Sequence, residues 1–236
     1  MKKLLALSLI SLTSFSYFSS LAFADDVNAA NTPTNQIYLG IEGGGADTGF
    51  NLNNYKNYVS SNNPGETQSY TLTNNNFYGD IHAGILFPVA DVISMGGQLG
   101  YQQFGTHSAE TSANDGTTYL SSKESEKISD FNAKAVIQTV YNNFFASLNT
   151  GLGYFMIKNS GEITDFSNGM PGVTTPAPES KNSVHILAGA ELGYNFSEHF
   201  NTYISYEHVF GTDTHGDFSN KVPTMDTLGL GVNYIF

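Results

Sequence analysis

The chain has 236 residues, a formal net charge of −12 and no cysteine. Its nine basic residues are all lysines and are outnumbered by 21 acids, which argues against nucleic acid as a partner because phosphates require a basic face. The absence of cysteine excludes a disulfide framework, a thiolate metal site and a cysteine nucleophile, and the many Gly, Tyr and Phe residues favour a β-rich protein.

The first 24 residues have the features of an export signal. Lys2 and Lys3 supply a positive start, Leu4 to Leu12 form an apolar run, and Ala22-Phe23-Ala24 fits the small-x-small cleavage pattern. We therefore expect residues 1–24 to be a signal peptide cleaved after Ala24, and the polar residues 25–35 to be a periplasmic lead-in. No later segment has 18 consecutive apolar residues, so any crossing of a membrane would be made by strands.

Eight segments alternate between apolar side chains and small or polar ones, with the period of two that is typical of β-strands. They are 36–44, 76–87, 92–104, 128–141, 144–156, 184–196, 200–210 and 225–236. A tilted strand needs about 9–11 residues to cross a bilayer, and these segments are long enough. The pattern predicts an all-β fold over residues 36–236, an eight-stranded antiparallel transmembrane β-barrel with up-and-down meander order.

The connections between these segments are alternately short and long. The short ones are 88–91, 142–143 and 197–199, and the long ones are about 45–75, 105–127, 157–183 and 211–224. Short periplasmic turns and long external loops are typical of outer-membrane barrels. The Asn, Ser, Thr, Gly and Pro content of the long connections predicts exposed, mobile loops.

Aromatic side chains cluster at both ends of the apolar faces. Those near the predicted periplasmic ends are Phe87, Tyr141, Phe144, Phe196, Phe200 and Phe236. Those near the opposite ends are Phe77, Tyr101, Phe131, Tyr154, Tyr206 and Phe210. Two aromatic belts with aliphatic residues between them indicate a lipid-facing surface that spans a bilayer.

The opposite parity carries ionisable residues that would point into the barrel. We predict a polar cluster in the lumen that consists of Glu42, Asp80, His82, Lys134, Glu191 and Glu207. The interior of an eight-stranded barrel is just wide enough for side chains to fill it. One lysine cannot neutralise four carboxylates, so we hypothesise that at least one acid is protonated near neutral pH or that the histidine is charged. The cluster would serve as a polar plug that specifies the barrel, or as a gate for ions and small solutes.

The sequence offers no catalytic, cofactor or metal site. Some small barrels modify lipids, but none of the six histidines is followed two residues later by the serine of a His-x-Ser arrangement. Asp213, His215 and Asp217 have spacing that suits a divalent cation but lack the remaining oxygen ligands. We therefore expect a solvated acidic loop there, and a protein that is not an enzyme.

Taken together, the export signal, the eight strands, the long loops and a last strand carrying Tyr234 and Phe236 resemble the small eight-stranded outer-membrane β-barrels. These include the OmpA transmembrane domain, OmpX and the opacity-type surface proteins. The resemblance implies a bacterial outer-membrane location and an assembly signal at Tyr234 and Phe236 that the barrel-assembly machinery reads. It also implies a role in envelope integrity, surface adhesion or small-solute leakage.

Two hypotheses about function follow from the sequence. In the first, the chain is a non-catalytic surface protein whose external loops contact a host or envelope ligand. In the second, it is a narrow pore for small solutes or ions. In both, we expect a monomer surrounded by outer-membrane lipid, with no cofactor.

Overall fold

The computed structural model describes residues 35–48, 67–114, 118–167, 173–176, 181–212 and 221–236. The predicted signal peptide and the residues from Asp213 to Asp217 lie outside these ranges. The strands are β1 Gln36–Asp47, β2 Thr67–Asn74, β3 Phe77–Ala90, β4 Ile93–Asn114, β5 Thr118–Tyr141, β6 Phe144–Ser167, β7 Val173–Pro176, β8 Lys181–Asn195, β9 Phe200–Phe210 and β10 Met225–Ile235. Within the described ranges, no helix is long and apolar enough to cross a membrane.

Eight of the ten strands close into a ring. The order around the ring is β4-β3-β1-β10-β9-β8-β6-β5, and β5 pairs again with β4. Every neighbouring pair is antiparallel, and the first and last strands meet along ten register positions from Tyr38↔Ile235 to Asp47↔Asp226. This confirms the predicted eight-stranded antiparallel barrel. Strands β2 and β7 stand outside the ring and pair with β4 and β6.

The predicted short turns are present at one end of the barrel. The turn between β5 and β6 consists of Asn142 and Asn143, and Asn142 has a φ of 52°. Asparagine tolerates this left-handed conformation better than most residues. The amide of Asn143 also donates from Nδ2 to the carbonyl of Asn195, 3.0 Å away, and so ties this turn to the end of β8.

Two of the long connections, 105–127 and 157–183, differ from the prediction, whereas residues 49–66 and 213–220 of the other two lie outside the described ranges. Residues 105–127 do not form a mobile loop, because β4 runs to Asn114 and β5 begins at Thr118. Likewise, β6 continues to Ser167 and occupies much of the predicted loop 157–183. Each of these three strands extends thirteen residues beyond its outer aromatic residue. We call residues 67–74, 106–114, 118–127, 157–167 and 173–176 the outer sheet.

Where the structure describes its side chains, the outer sheet is polar on its outward face and therefore lacks the apolar alternation that marks the barrel. Ser108 donates to Ser125 at 3.1 Å, and Lys123 Nζ lies 2.6 Å from Glu110 Oε1. Cross-strand pairs of this kind stabilise a sheet without burying an apolar face. A register shift between Gln103 and Thr106 separates the outer part of β4 from the barrel wall.

The outside of the barrel carries a belt of exposed apolar residues. Leu99, Leu228 and Ile41 expose 67%, 66% and 63% of their surface, and every ring strand contributes residues of this kind. Both predicted aromatic belts lie on this face, where Tyr101 and Phe131 are in ring contact at 5.0 Å. An apolar surface of this extent requires lipid rather than water around it. The chain is therefore a membrane-spanning β-barrel.

Candidate functional site

The six residues of the predicted lumen cluster all lie on the inward face of the ring. Lys134 on β5 forms an ion pair with Glu207 on β9, and both side chains are buried. Gln102 on β4 donates from Nε2 to Glu207 Oε1 over 2.9 Å. The carboxylate of Glu207 thus receives two donors from the opposite wall.

Asp80 and His82 form a second pair, two residues apart on β3. Nδ1 of His82 contacts Asp80 Oδ1, while Nε2 lies 2.9 Å from Asn233 Oδ1. The amide of Asn233 donates to Asn201 Oδ1 at 3.1 Å, so its own oxygen is oriented as an acceptor toward the ring. Both ring nitrogens therefore face acceptors.

The remaining predicted acids also bind neighbouring side chains. Glu42 on β1 accepts from the hydroxyl of Tyr78 and, at 2.6 Å, from Ser205 Oγ on β9. Glu191 on β8 accepts from Asn149 Nδ2 on β6 at 3.3 Å. Each of these contacts joins two different strands, so the polar cluster links the wall from inside.

A fifth inward carboxylate, Asp130 on β5, was missing from the predicted cluster. It is fully buried and accepts from Asn132 Nδ2 at 3.3 Å. The sequence carried the signal, because Asp130 shares the inward parity of Asn132 and Lys134 on the same strand. Five carboxylates thus surround one lysine and one histidine in the lumen.

An apolar layer closes the lumen above this polar cluster. Each of the eight ring strands contributes at least one buried apolar side chain to it. The layer consists of Ala46, Tyr78, Phe104, Ile128, Phe155, Ile157, Leu187, Val209, Val222 and Met225. Phe104 stacks on Tyr78 at a centroid distance of 6.4 Å and on Phe155 at 6.1 Å. We call this set the outer plug.

A smaller apolar layer lies at the end where the short turns are. It consists of Tyr38, Leu86, Val136 and Ile235, and we call it the inner plug. The hydroxyl of Tyr38 donates to Gln98 Oε1 at 3.0 Å, which joins this layer to the polar cluster. A cavity bordered by both sets has only about 10 Å³ of space for the centre of a water molecule. That is room for about one water, so side chains fill this end of the lumen.

A serine and a histidine form a hydrogen-bonded pair at the outer end of β8. Ser183 Oγ lies 2.9 Å from His185 Nε2, and His185 Nδ1 lies 3.0 Å from the carbonyl of Phe210. The carbonyl requires a proton on Nδ1, so Nε2 accepts from the serine. This pair does not have the His-x-Ser order, because the serine precedes the histidine. Within the described ranges, no carboxylate binds the ring of His185, so the pair lacks the acid of a catalytic triad.

His208 and Asp226 form another pair on the outside of the barrel. His208 Nδ1 lies 2.7 Å from Asp226 Oδ1, which also accepts from the hydroxyl of Tyr206 at 2.5 Å. In the part of the chain that the structure describes, no hydroxyl binds the second nitrogen of His208, so the pair lacks a nucleophile. Among all the residues that the structure describes, no group of three or more His, Asp or Glu side chains is placed to hold a metal ion.

Comparisons with known proteins return likenesses in structure alone. No protein-family model matches the chain, and no curated protein matches it in sequence. The solved structures that it resembles include Ail, the attachment invasion locus protein of Yersinia pestis, at 15% identity and a TM-score of 0.41, covering 86% of this chain and 97% of Ail. The outer membrane protein OprG from Pseudomonas aeruginosa matches at 12% identity and a TM-score of 0.41, covering 87% of this chain and 97% of OprG.

Neisserial surface protein A matches at 10% identity and a TM-score of 0.40, covering 85% of this chain and 97% of that protein. Likenesses at this level carry no information about activity or ligands. The assignment of this chain as an eight-stranded barrel is based on its own strand pairing and not on these likenesses.

Proposed function

We propose that this chain is a non-catalytic surface protein of a bacterial outer membrane, in which the barrel is an anchor and the outer sheet contacts a ligand. The observation that carries this proposal is a contrast along the barrel axis. The lumen has an apolar layer at each end with the polar cluster between them, whereas three strands continue thirteen residues past the outer aromatic belt. The part of the molecule available to partners is therefore the sheet that extends outward.

The alternative, a narrow pore, is less well supported. Water or an ion that entered the lumen would have to displace the outer plug, to which all eight ring strands contribute. It would then meet a polar cluster whose ionisable side chains bind one another. An eight-stranded barrel leaves little space beyond its own side chains. We expect no reproducible single-channel steps when the folded protein is placed in a planar bilayer.

Several features support an outer-membrane location. The short turns lie at one end and the outer sheet at the other, in agreement with the asymmetry of such barrels. On the last strand, the exposed rings of Tyr234 and Phe236 are in contact at 4.9 Å. We assign these two residues the role of assembly signal for the barrel-assembly machinery. Cell fractionation tests the location, and recovery of the mature chain in a soluble fraction would contradict it.

A deletion in the outer sheet tests the proposed function directly. Thr106 and Lys127 are register partners, so removing residues 107–126 and inserting Asn-Gly would let a two-residue turn rejoin β4 to β5. We expect the shortened protein to keep the heat-dependent shift in gel mobility of a folded barrel. Cells that display it should lose attachment to cultured host cells and matrix-coated surfaces.

The matched control for this deletion exchanges Glu110 and Lys123, which keeps the length and net charge of the hairpin. The protein with the exchanged pair should reach the cell surface in the same amount as the natural chain. It should also show the same heat-dependent shift in gel mobility. Unchanged attachment by the shortened protein, at equal surface amounts, would contradict a ligand-binding role for the outer sheet. Conductance steps from the intact protein would instead favour the pore.

A further inference from the structure

Two lysines face each other directly on the outward side of the outer sheet. Lys127 on β5 and Lys158 on β6 are register partners, and both are exposed. Like charges placed directly opposite each other on neighbouring strands destabilise a sheet. Within the described ranges, neither lysine forms an ion pair, whereas Lys123 and Lys134 each do. A paired positive charge is notable in a chain with 21 acids and nine basic residues.

The position of the pair relative to the membrane limits what can neutralise it. Phe131 and Tyr154, also register partners, belong to the outer aromatic belt and lie four residues nearer the bilayer on the same two strands. Four residues correspond to about 13 Å along a strand, or roughly 10 Å along the membrane normal at a tilt of about 40°. Aromatic belts mark the headgroup level, and a long lysine stem can reach back toward it.

The lysines border a groove of about 610 Å³ on the sheet. Its lining is formed by Thr106, Ser125, Lys127, Met156, Ile157, Lys158, Asn159, Ser160 and Asn182. Two ammonium groups, three hydroxyls and the side-chain amide of Asn182 therefore border a surface that also includes the thioether of Met156. Such a mixture suits an anion that is attached to an apolar body, because the hydroxyls and ammonium groups bind the charge and the apolar atoms contact the rest.

We infer that Lys127 and Lys158 bind the phosphate of a phosphorylated lipid headgroup in the outer leaflet. A phosphate placed between the two ammonium groups would relieve their repulsion and accept hydrogen bonds from both. The groove lies close to the aromatic belt and therefore near the headgroup level, which favours a membrane lipid over a soluble anion. The inference that such a lipid surrounds the protein in the cell rests on the proposed outer-membrane location. The binding itself can be measured with purified protein.

The test uses the folded protein in neutral detergent micelles. Lipid A, dephosphorylated lipid A or inorganic phosphate is added, and native mass spectrometry measures how much lipid stays bound. Each cation near an anionic membrane surface contributes about fivefold in affinity. We therefore expect Lys127→Gln/Lys158→Gln to weaken retention of lipid A by about 30-fold. Lys123→Gln, which removes one lysine higher on the same face, should leave retention unchanged.

The unfolding temperature provides a second readout that a purely structural role would not produce. Without lipid, Lys158→Gln should be at least as stable as the natural chain, because the repulsion between the two lysines is gone. Lipid A should raise the unfolding temperature of the natural chain more than that of this variant. A fall in stability caused by the substitution in the absence of lipid would show that the pair contributes to folding, and would overturn the inference.

Three further results would overturn it. If dephosphorylated lipid A is retained as well as lipid A, the phosphate is not what the protein recognises. If inorganic phosphate stabilises the protein as much as lipid A does, the lipid part is not recognised. An equal loss in Lys123→Gln would place the effect outside this groove. The proposed function can fail independently, because the lysine variants should attach to host cells as the natural chain does, and the micelle experiment does not depend on where the protein resides.

Discussion

Lys134 on β5 and Glu207 on β9 form a buried ion pair although their strands stand three places apart around the ring. The contact therefore crosses the interior instead of following the wall. Gln102, from a third strand, binds the same carboxylate at 2.9 Å. The polar cluster thus links parts of the barrel that backbone hydrogen bonds do not join.

Replacing Lys134 with Met should destabilise the folded barrel by about 3–5 kcal/mol, because Glu207 would remain buried without its cation. Urea unfolding in micelles measures this change. The double variant Lys134→Met/Glu207→Gln should recover part of the loss, since it removes both charges. If the single variant unfolds at the same urea concentration as the natural chain, the ion pair does not support the fold.

Opening the outer plug should turn a closed barrel into a leaky one. Phe104 and Phe155 stack at its centre, and replacing both with Ala removes most of the aromatic volume there. We expect small but reproducible conductance steps from the double variant in a planar bilayer, and none from the natural chain. Leu99→Ala on the lipid face is the matched control and should conduct no current. A silent double variant that passes the heat-shift test would mean that the polar cluster and the inner plug close the lumen without the outer plug.

A bulky residue at Gly231 should prevent close packing of the wall. A β-carbon at this position on β10 would overlap the ring of Tyr203 on β9. We expect Gly231→Val to cost about 1–3 kcal/mol, the usual range for overpacking. Adding Tyr203→Ala should restore part of the loss because it frees the space. Equal stability of Gly231→Val and the natural chain would show that the ring moves aside without cost.

The outer sheet should loosen in mild acid. Burial lowers the pKa of His107 from 6.5 to about 4, so between these values the unfolded chain binds a proton that the folded chain does not. The contribution of His107 to stability is therefore fully present above pH 6.5 and decreases by up to about 3 kcal/mol as the pH falls to 4. Hydrogen exchange of residues 106–111, corrected for the intrinsic rate, measures the change.

Glu126, a carboxylate, lies opposite His107 in the register, so a control is needed to separate the two side chains. His107→Gln should remove the part of the pH dependence between 6.5 and about 4 and leave any contribution from the carboxylate. Identical pH profiles for the natural chain and this variant would rule out the histidine as the cause.

The sequence was sufficient to predict the barrel because the lipid-facing and inward-facing positions differ sharply in polarity. Leu228, Leu230 and Val232 alternate with Gly229 and Gly231, and the structure exposes the first set and buries the second. The two-residue turn between β5 and β6 was equally clear, since two asparagines separate two aromatic strand ends. Because lipid covers one face of every barrel strand, apolar residues alternate along each strand. This alternation can be recognised in one strand without knowing which other strands it contacts.

The outer sheet and the two plugs were harder to predict, for two physical reasons. Strands such as β5 from Lys123 to Lys127 bear polar groups on their outward face, so their pairing depends on register with β4 and β6 rather than on apolar alternation. The plug residues Leu187 and Val209 occupy the inward parity that was assigned to polar groups. Which inward positions meet at one height depends on the stagger of all eight strands, which no single strand reveals.

The seam between β1 and β10 sets a condition on how this protein reaches its membrane. Until those two edges meet, alternate residues along the ten register positions of each strand would present unbonded amides and carbonyls to hydrocarbon, at several kcal/mol for every unsatisfied group. A half-inserted intermediate would be prohibitively unfavourable in lipid. Insertion and closure of the barrel must therefore be nearly concerted, or another protein must cover the edges of β1 and β10 until they pair.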